Sequence, residues 1–250
     1  MSKGEITMQK LATGAAYQFT PADGYTPDMG RRPTVLIVHG WKSTHFTSAT
    51  YFNLALKLQA IGYHTMQLSL RGHQGSDGDI TLVTRPEHLD DIQCALDYLY
   101  QRPEVAWEQV CAFGTSYGAY LLACQPAPFK LLAFRAPALY PDDHWEEPTA
   151  MIVGWPELHK WREETHLPEE SRALSGLSMS DFKGGLLTVG SGIDEDMPPQ
   201  VLESYRQAGA YYHSYQEHII PGATHSLKVN AHQKEFIAVA GEWFTRHYPK

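Results

Sequence analysis

Val110-Cys111-Ala112-Phe113-Gly114-Thr115-Ser116-Tyr117-Gly118-Ala119-Tyr120-Leu121-Leu122-Ala123 is the stretch on which the reading of this chain turns. Residues 110–113 form the short apolar run that a strand buried on both faces needs, and residues 119–124 continue as an apolar helix. Between them Gly114-Thr115-Ser116-Tyr117-Gly118 fits G-x-S-x-G. The physical content of that pattern is a sharp strand-to-helix turn that holds a serine in strained backbone with its hydroxyl exposed. The residues two before and two after the serine pack against each other, so anything larger than glycine or alanine collides. The helix starting behind the serine offers free N–H groups and a positive dipole end to a developing oxyanion. With 20 glycines and 14 serines in 250 residues, chance supplies about 0.1 such matches, so the flanking strand and helix carry more weight than the pattern.

The same alternation extends outward. Thr34-Val35-Leu36-Ile37-Val38 reads as a doubly buried strand stopping at Gly40, and residues 50–61 as a helix closed by Gly62 in a left-handed cap. Residues 64–70 give the next strand, broken by the turn Arg71-Gly72-His73-Gln74-Gly75. Thr84-Arg85-Pro86-Glu87 has capping-box spacing, and Leu89, Ile92, Leu96 and Leu99 follow as one helical stripe. Residues 130–134, 186–189 and 215–220 are further strands, and a terminal helix carries Phe236, Val239, Ala240, Trp243 and His247. Strand and helix in alternation predict an α/β fold, a mostly parallel central sheet with helices on both faces. Residues 20–33 read as a connector. Residues 140–185 are too long for an ordinary connection, so residues 1–250 are expected to be a single domain with a short cap or lid inserted at 140–185.

Composition removes other classes. The formal charge of −8, from 20 basic and 28 acidic residues, gives no attraction to a phosphate backbone. Cys94, Cys111 and Cys124 lack paired spacing and sit among apolar neighbours, as small core residues do. The N-terminal stretch lacks a signal-peptide core, and no run approaches the ~18 apolar residues of a membrane span, which points to a cytoplasmic protein. His159 and His166 lack tight metal-ligand spacing and read as a solvated helix face; no metal site is expected.

Four separated motifs resemble those of the α/β-hydrolase-fold serine hydrolases, in the expected order. Val38-His39-Gly40-Trp41 is similar to the oxyanion-loop "HG" after an early strand. Arg71-Gly72-His73-Gln74-Gly75-Ser76-Asp77-Gly78 is similar to the R-G-H-G-x-S-x-G turn, and Gly114 to Gly118 to the nucleophile elbow. Gly222-Ala223-Thr224-His225 is similar to the G-x-x-H that ends the triad. The resemblance implies an acid between Ser116 and His225 at the end of a strand. Asp194 keeps the family's spacing to Pro198 but stands one residue further from Gly190, which leaves Asp196 and Glu195 as competitors. Some relatives place the acid after the preceding strand, which would select Asp142 or Asp143.

The resemblance therefore implies a triad of Ser116, His225 and Asp194, with the N–H groups of Trp41 and Tyr117 as oxyanion donors and no cofactor. His39, Gly40, Tyr140 and Trp145 are the expected substrate-binding residues, with Trp155 and Trp161 adding aromatic surface in the insertion. His39 and His73 also suit a loop-holding role. The expected substrate is a small-molecule carboxylic ester with a short, medium or aromatic acyl group. Thioesterase and aminopeptidase activity are alternatives, and so is a non-catalytic ligand-binding relative. For the aminopeptidase, Asp142, Asp143, Glu146 and Glu147 could meet a substrate amine. Neither nucleic acid nor a membrane span is expected, and a homodimer is left open.

Overall fold

The computed structural model describes residues 8–42, 48–126, 129–179, 182, 184–210 and 214–249. Its strands are β1 (Gln9–Lys10), β2 (Ala16–Thr20), β3 (Arg32–Val38), β4 (His64–Ser69), β5 (Val105–Thr115), β6 (Leu131–Arg135), β7 (Gly185–Ser191) and β8 (Ser214–Ile220). They form one sheet in the order β1-β2-β4-β3-β5-β6-β7-β8. The β1/β2 and β2/β4 pairs are antiparallel, and every pair from β4 through β3 to β8 is parallel.

Parallel strands with both faces covered require apolar residues in consecutive positions, and β3 and β4 are buried along nearly their whole length. Alternate residues feed two cores. Leu36, Val38, Ala112, Leu132 and Phe134 pack under α2 (Arg85–Tyr100), α3 (Tyr117–Cys124), α6 (Arg172–Met179) and α7 (Pro199–Gly209). Val35, Ile37, Phe113, Ala133, Leu187 and Val189 pack under α1 (Ala49–Ile61) and α8 (Asn230–Arg246), where Phe236, Trp243 and Phe244 are wholly buried. Gly62 ends α1 at φ 116, a region that costs a side chain strain. The capping box at Thr84 is complete: its hydroxyl accepts the Glu87 N–H, and the Glu87 carboxylate accepts the Thr84 N–H.

The structure is richer than the sequence reading in two places. Strand β5 starts five residues before the apolar run, because Val105 pairs with Arg32 ahead of a register irregularity while Trp107 and Glu108 stay exposed. Helix α7, headed by Pro199, lies in a stretch to which the sequence reading assigns no element. Between β6 and β7 the chain forms α4 (Thr149–Val153), α5 (Leu158–Arg162) and α6. Two buried arginines pin this insertion to the scaffold. Arg85 donates to the carbonyls of Pro141 (2.8 Å) and Asp143 (2.6 Å), and Arg162 to that of Leu139 (2.9 Å). No helix among the described residues is long and apolar enough to cross a membrane.

The strand order puts a switch point at β3 and β5. From β3 the chain moves one way to β4; from β5 it moves the other way to β6, β7 and β8. Loops at the carboxyl ends of these strands diverge there and leave a crevice.

Candidate active site

Ser116 sits at that crevice, between the end of β5 and the first residue of α3, at φ 50 and ψ −113. For a residue with a side chain this is strained backbone, and the surroundings hold it: the Ser116 N–H donates to Arg135 O at 2.9 Å, and its carbonyl accepts from Ala138 and Tyr120 at 3.1 Å. The two elbow glycines do different jobs. A Cβ on Gly114 would lie 2.7 Å from the Ala119 backbone, whereas one on Gly118 would lie 2.4 Å from His39 O and 2.5 Å from Val38 O. Gly118 thus lets α3 press on the end of β3, a contact beyond the glycine–glycine packing read from sequence.

His225 reaches Ser116 from the loop after β8. Its Nε2 lies 3.0 Å from Ser116 Oγ, and its Nδ1 lies 2.9 and 3.0 Å from the two Asp194 oxygens. A carboxylate only accepts, so Nδ1 carries the proton and Nε2 is free to take one from the serine. Asp194 is held by β7. Ser191 still pairs with Ile220, so the strand runs one residue longer and the acid's loop begins later, which accounts for the extra residue after Gly190. Gly192 and Ile193 then donate to Ile220 O (2.9 Å) and Ala223 O (3.0 Å), joining the acid's loop to the histidine's. Burial raises the Asp194 pKa, but the hydrogen bond and charge of His225 and the N–H groups of Met197 and Asp196 outweigh it. The carboxyl is held below the usual range.

The other candidate acids are turned elsewhere. Glu195 accepts the His225 backbone N–H (2.8 Å) and fixes the loop rather than the ring. Asp142 accepts the Arg172 N–H (2.8 Å), and Asp143 offers its carbonyl to Arg85.

The loop after β3 lies against the serine: a Cβ on Gly40 would sit 3.3 Å from Ser116 Cβ. The N–H groups of Trp41 and Tyr117 donate to no other described residue. Histidines brace this region. The Nε2 of His73 accepts the Lys42 N–H (3.3 Å), and its Nδ1–H donates to Arg71 O (3.1 Å). His88 donates from Nε2 to Arg71 O (3.0 Å) and accepts the Tyr117 hydroxyl at Nδ1 (2.8 Å). Burial drives its pKa down to about 3, so the ring is neutral. Trp41 lies edge-on against His73, His88 and Tyr117.

Two of the expected substrate-binding residues, His39 and Tyr140, are corrected, and Trp145 is half-buried. His39 is wholly buried, its Nδ1 2.7 Å from Gly40 O and its Nε2 accepting the Leu70 N–H (3.0 Å), so its ring braces the loop and meets no substrate. Tyr140 is buried beneath the insertion with the Arg162 guanidinium over its ring. Trp145 is stacked between Arg85 and Arg172. Gly40 alone of the four keeps its place beside Ser116. His166 is buried too, stacked on Trp161 at 3.6 Å, so it is not part of a solvated face. Among the described residues no group of three or more His, Cys, Asp or Glu could hold a metal. Sequence reasoning missed Arg135. A lone arginine after an apolar strand gives no sign that its guanidinium will be buried under the His225 loop.

Strand order, switch point and the strained serine define an α/β-hydrolase-fold serine hydrolase. The family model for the serine aminopeptidases of the S33 group matches residues 30–175, and the chain belongs to that family. A curated relative, acylamino-acid-releasing enzyme 1 of Oryza sativa subsp. japonica, is 26% identical over 161 residues, which are 61% of this chain. The match is 20% of that relative, so the chain spans about a fifth of its length. Among solved structures, Est1E from Butyrivibrio proteoclasticus with bound ferulic acid superposes at TM-score 0.70, with 19% identity over 93% of this chain and 94% of its own. A soluble variant of monoglyceride lipase from Saccharomyces cerevisiae, in complex with a substrate analog, gives TM-score 0.70 and 16% identity over 98% and 96%. At these identities both establish the fold alone.

Proposed function

We propose that the protein hydrolyses a carboxylic ester through an acyl-enzyme, with Ser116 as nucleophile, His225 as general base and Asp194 as the group orienting it. The observation that carries this reading is the hydrogen-bonded line Ser116 Oγ–His225–Asp194 on a strained elbow. Ser116 Oγ attacks the acyl carbon while His225 Nε2 takes its proton. The carbonyl oxygen becomes an oxyanion and accepts from the N–H groups of Tyr117 and Trp41. Collapse expels the alcohol, which receives the proton from His225. Water, deprotonated by the same nitrogen, then releases the acid and restores the serine.

Fluorophosphonate labelling is the direct test. The native protein is expected to label and Ser116→Ala to remain blank; an unreactive native protein removes the enzyme reading and favours a binding relative. A nitrophenyl ester series then reports acyl length. The family match and the curated relative's name favour a second reading, cleavage after an N-terminal or acylated residue of a peptide. Aminoacyl- and acylaminoacyl-coumarins turned over faster than the esters would select it.

A further inference from the structure

Arg135 ends β6 and is 2% exposed. By strand alternation with Leu131 and Ala133 it points to the α1/α8 side of the sheet, under the His225 loop. One nitrogen does all its bonding: Nη2 donates to Ser191 Oγ (2.8 Å) and to the carbonyls of Thr224 (3.2 Å) and His225 (2.9 Å). Among the described residues Nε and Nη1 have no hydrogen-bond partner, and no carboxylate forms an ion pair with the guanidinium. Burial lowers its pKa, opposed without any ion pair by Tyr51 first and then by Asp194 and Glu195. An arginine cannot escape burial by losing its proton, so the fold carries a desolvated cation whose donors are partly unused. An anion would complete it.

A cavity of about 70 Å3 adjoins this guanidinium, walled by Ser48, Thr50, Tyr51, Thr115, Arg135 and His225 among others, with no acidic residue in its lining. Thr115 pairs with Arg135 in the β5/β6 register, so the two side chains lie side by side, and the Tyr51 side chain acts on both. Ser48, Thr50 and Tyr51 belong to the first turn of the 13-residue α1, whose cap residue Ser48 makes no side-chain bond to it. The positive end of that helix therefore meets the same space. The volume suits a few waters or one carboxylate.

We propose that this cavity is an anion subsite that takes a carboxylate borne by the leaving group of the substrate. The leaving-group assignment rests on the proposed role of His225: the departing group must collect its proton from that imidazole, and His225 also walls the cavity. The substrate class is then an ester or amide whose alcohol or amine is itself an acid, a hydroxy acid or an amino acid.

The test separates binding from turnover. Thermal unfolding of Ser116→Ala is followed in sodium acetate and in sodium chloride at matched ionic strength. Acetate is expected to raise Tm saturably where chloride does not. Thr115→Val removes one hydroxyl of the cavity wall at constant shape and is expected to fold; it should weaken acetate about tenfold. In turnover, two esters of one acyl group are compared, one with a neutral alcohol and one with a hydroxy acid. The acid-bearing ester is expected to win by about tenfold in kcat/KM, with the ratio falling in Thr115→Val. No acetate-specific shift in Ser116→Ala overturns the subsite. Acetate binding with equal kcat/KM for the two esters overturns the leaving-group assignment. Acetate binding in a protein that fluorophosphonate does not label leaves the subsite standing and removes the hydrolase reading alone.

Discussion

Two adjacent carboxylates divide the work around His225. Asp194 faces the ring and, at both oxygens, Nδ1; Glu195 holds the backbone N–H of the same residue. Changing Asp194 to Asn replaces an acceptor pair with an amide that can present a donor to Nδ1, which drives the imidazole proton to Nε2 and blocks base catalysis. The expected loss in kcat is about 10³–10⁴-fold with KM little changed. Asp196→Asn is expected to stay within about threefold of native, because Asp196 bonds through its backbone, its N–H donating to Asp194 (3.0 Å) and its carbonyl accepting from Arg162 (3.5 Å), and both bonds survive the change. Steady-state kinetics on one ester settle the pair, and an Asp196 variant as damaged as the Asp194 variant would count against the assignment. The sequence favoured Asp194 on its spacing to Pro198, but the extra residue after Gly190 left Asp196 and Glu195 as competitors. Strand β7 accounts for that residue by running one position past Gly190.

At the scale of elements, β5, the elbow and α3 were legible because everything that shapes them is local: an apolar run, two glycines, an apolar helix. Helix α7 left a signal too, with Pro199 in its first turn and Val201, Leu202, Tyr205 and Ala208 on its buried face, but the acid's loop drew the reading. Tyr140 is buried for a different reason. Aromatic side chains in a long insertion fill either a pocket or the insertion's own footing. Tyr140 and Trp145 went to the footing because Arg85, Arg162 and Arg172 needed ring faces to lie on. Gly118 offers an element-scale test. Gly118→Ala forces a methyl to 2.5 Å from the Val38 carbonyl at the end of β3, so α3 and β3 must separate. Overpacking of this kind costs about 1–3 kcal/mol, expected as a Tm lower by about 2–10 °C. Activity should fall further than stability, because the same separation moves the Tyr117 and Trp41 N–H groups apart. An alanine variant with native Tm and rate would show that the contact is soft.

Across the whole molecule, two buried groups of α2 make opposite contributions to acid stability. His88 is driven down to about 3 by burial, with the charges of His73 and Arg71 adding to the fall. Between its ordinary value of about 6.5 and that figure, the unfolded chain holds a proton the folded chain refuses, so stability drops as pH falls. Asp91 is pushed up to about 6 by burial, against the pull of hydrogen bonds and charge from Arg71. Between about 6 and its ordinary value of about 3.9, the folded chain holds the extra proton, so stability rises as pH falls. Each slope approaches about 1.4 kcal/mol per pH unit, and the two nearly cancel from pH 6 to 4. Substitution separates them. His88→Gln can still accept from Tyr117 and donate to Arg71 O without titrating; relative to native it should gain about 2–3 kcal/mol from pH 6 to 4. Asp91→Asn should lose a similar amount over the same range. Urea unfolding of the three proteins at pH 4, 5, 6 and 7 reads these differences directly, and parallel pH profiles would mean that His88 and Asp91 do not titrate in the folded chain as their burial requires.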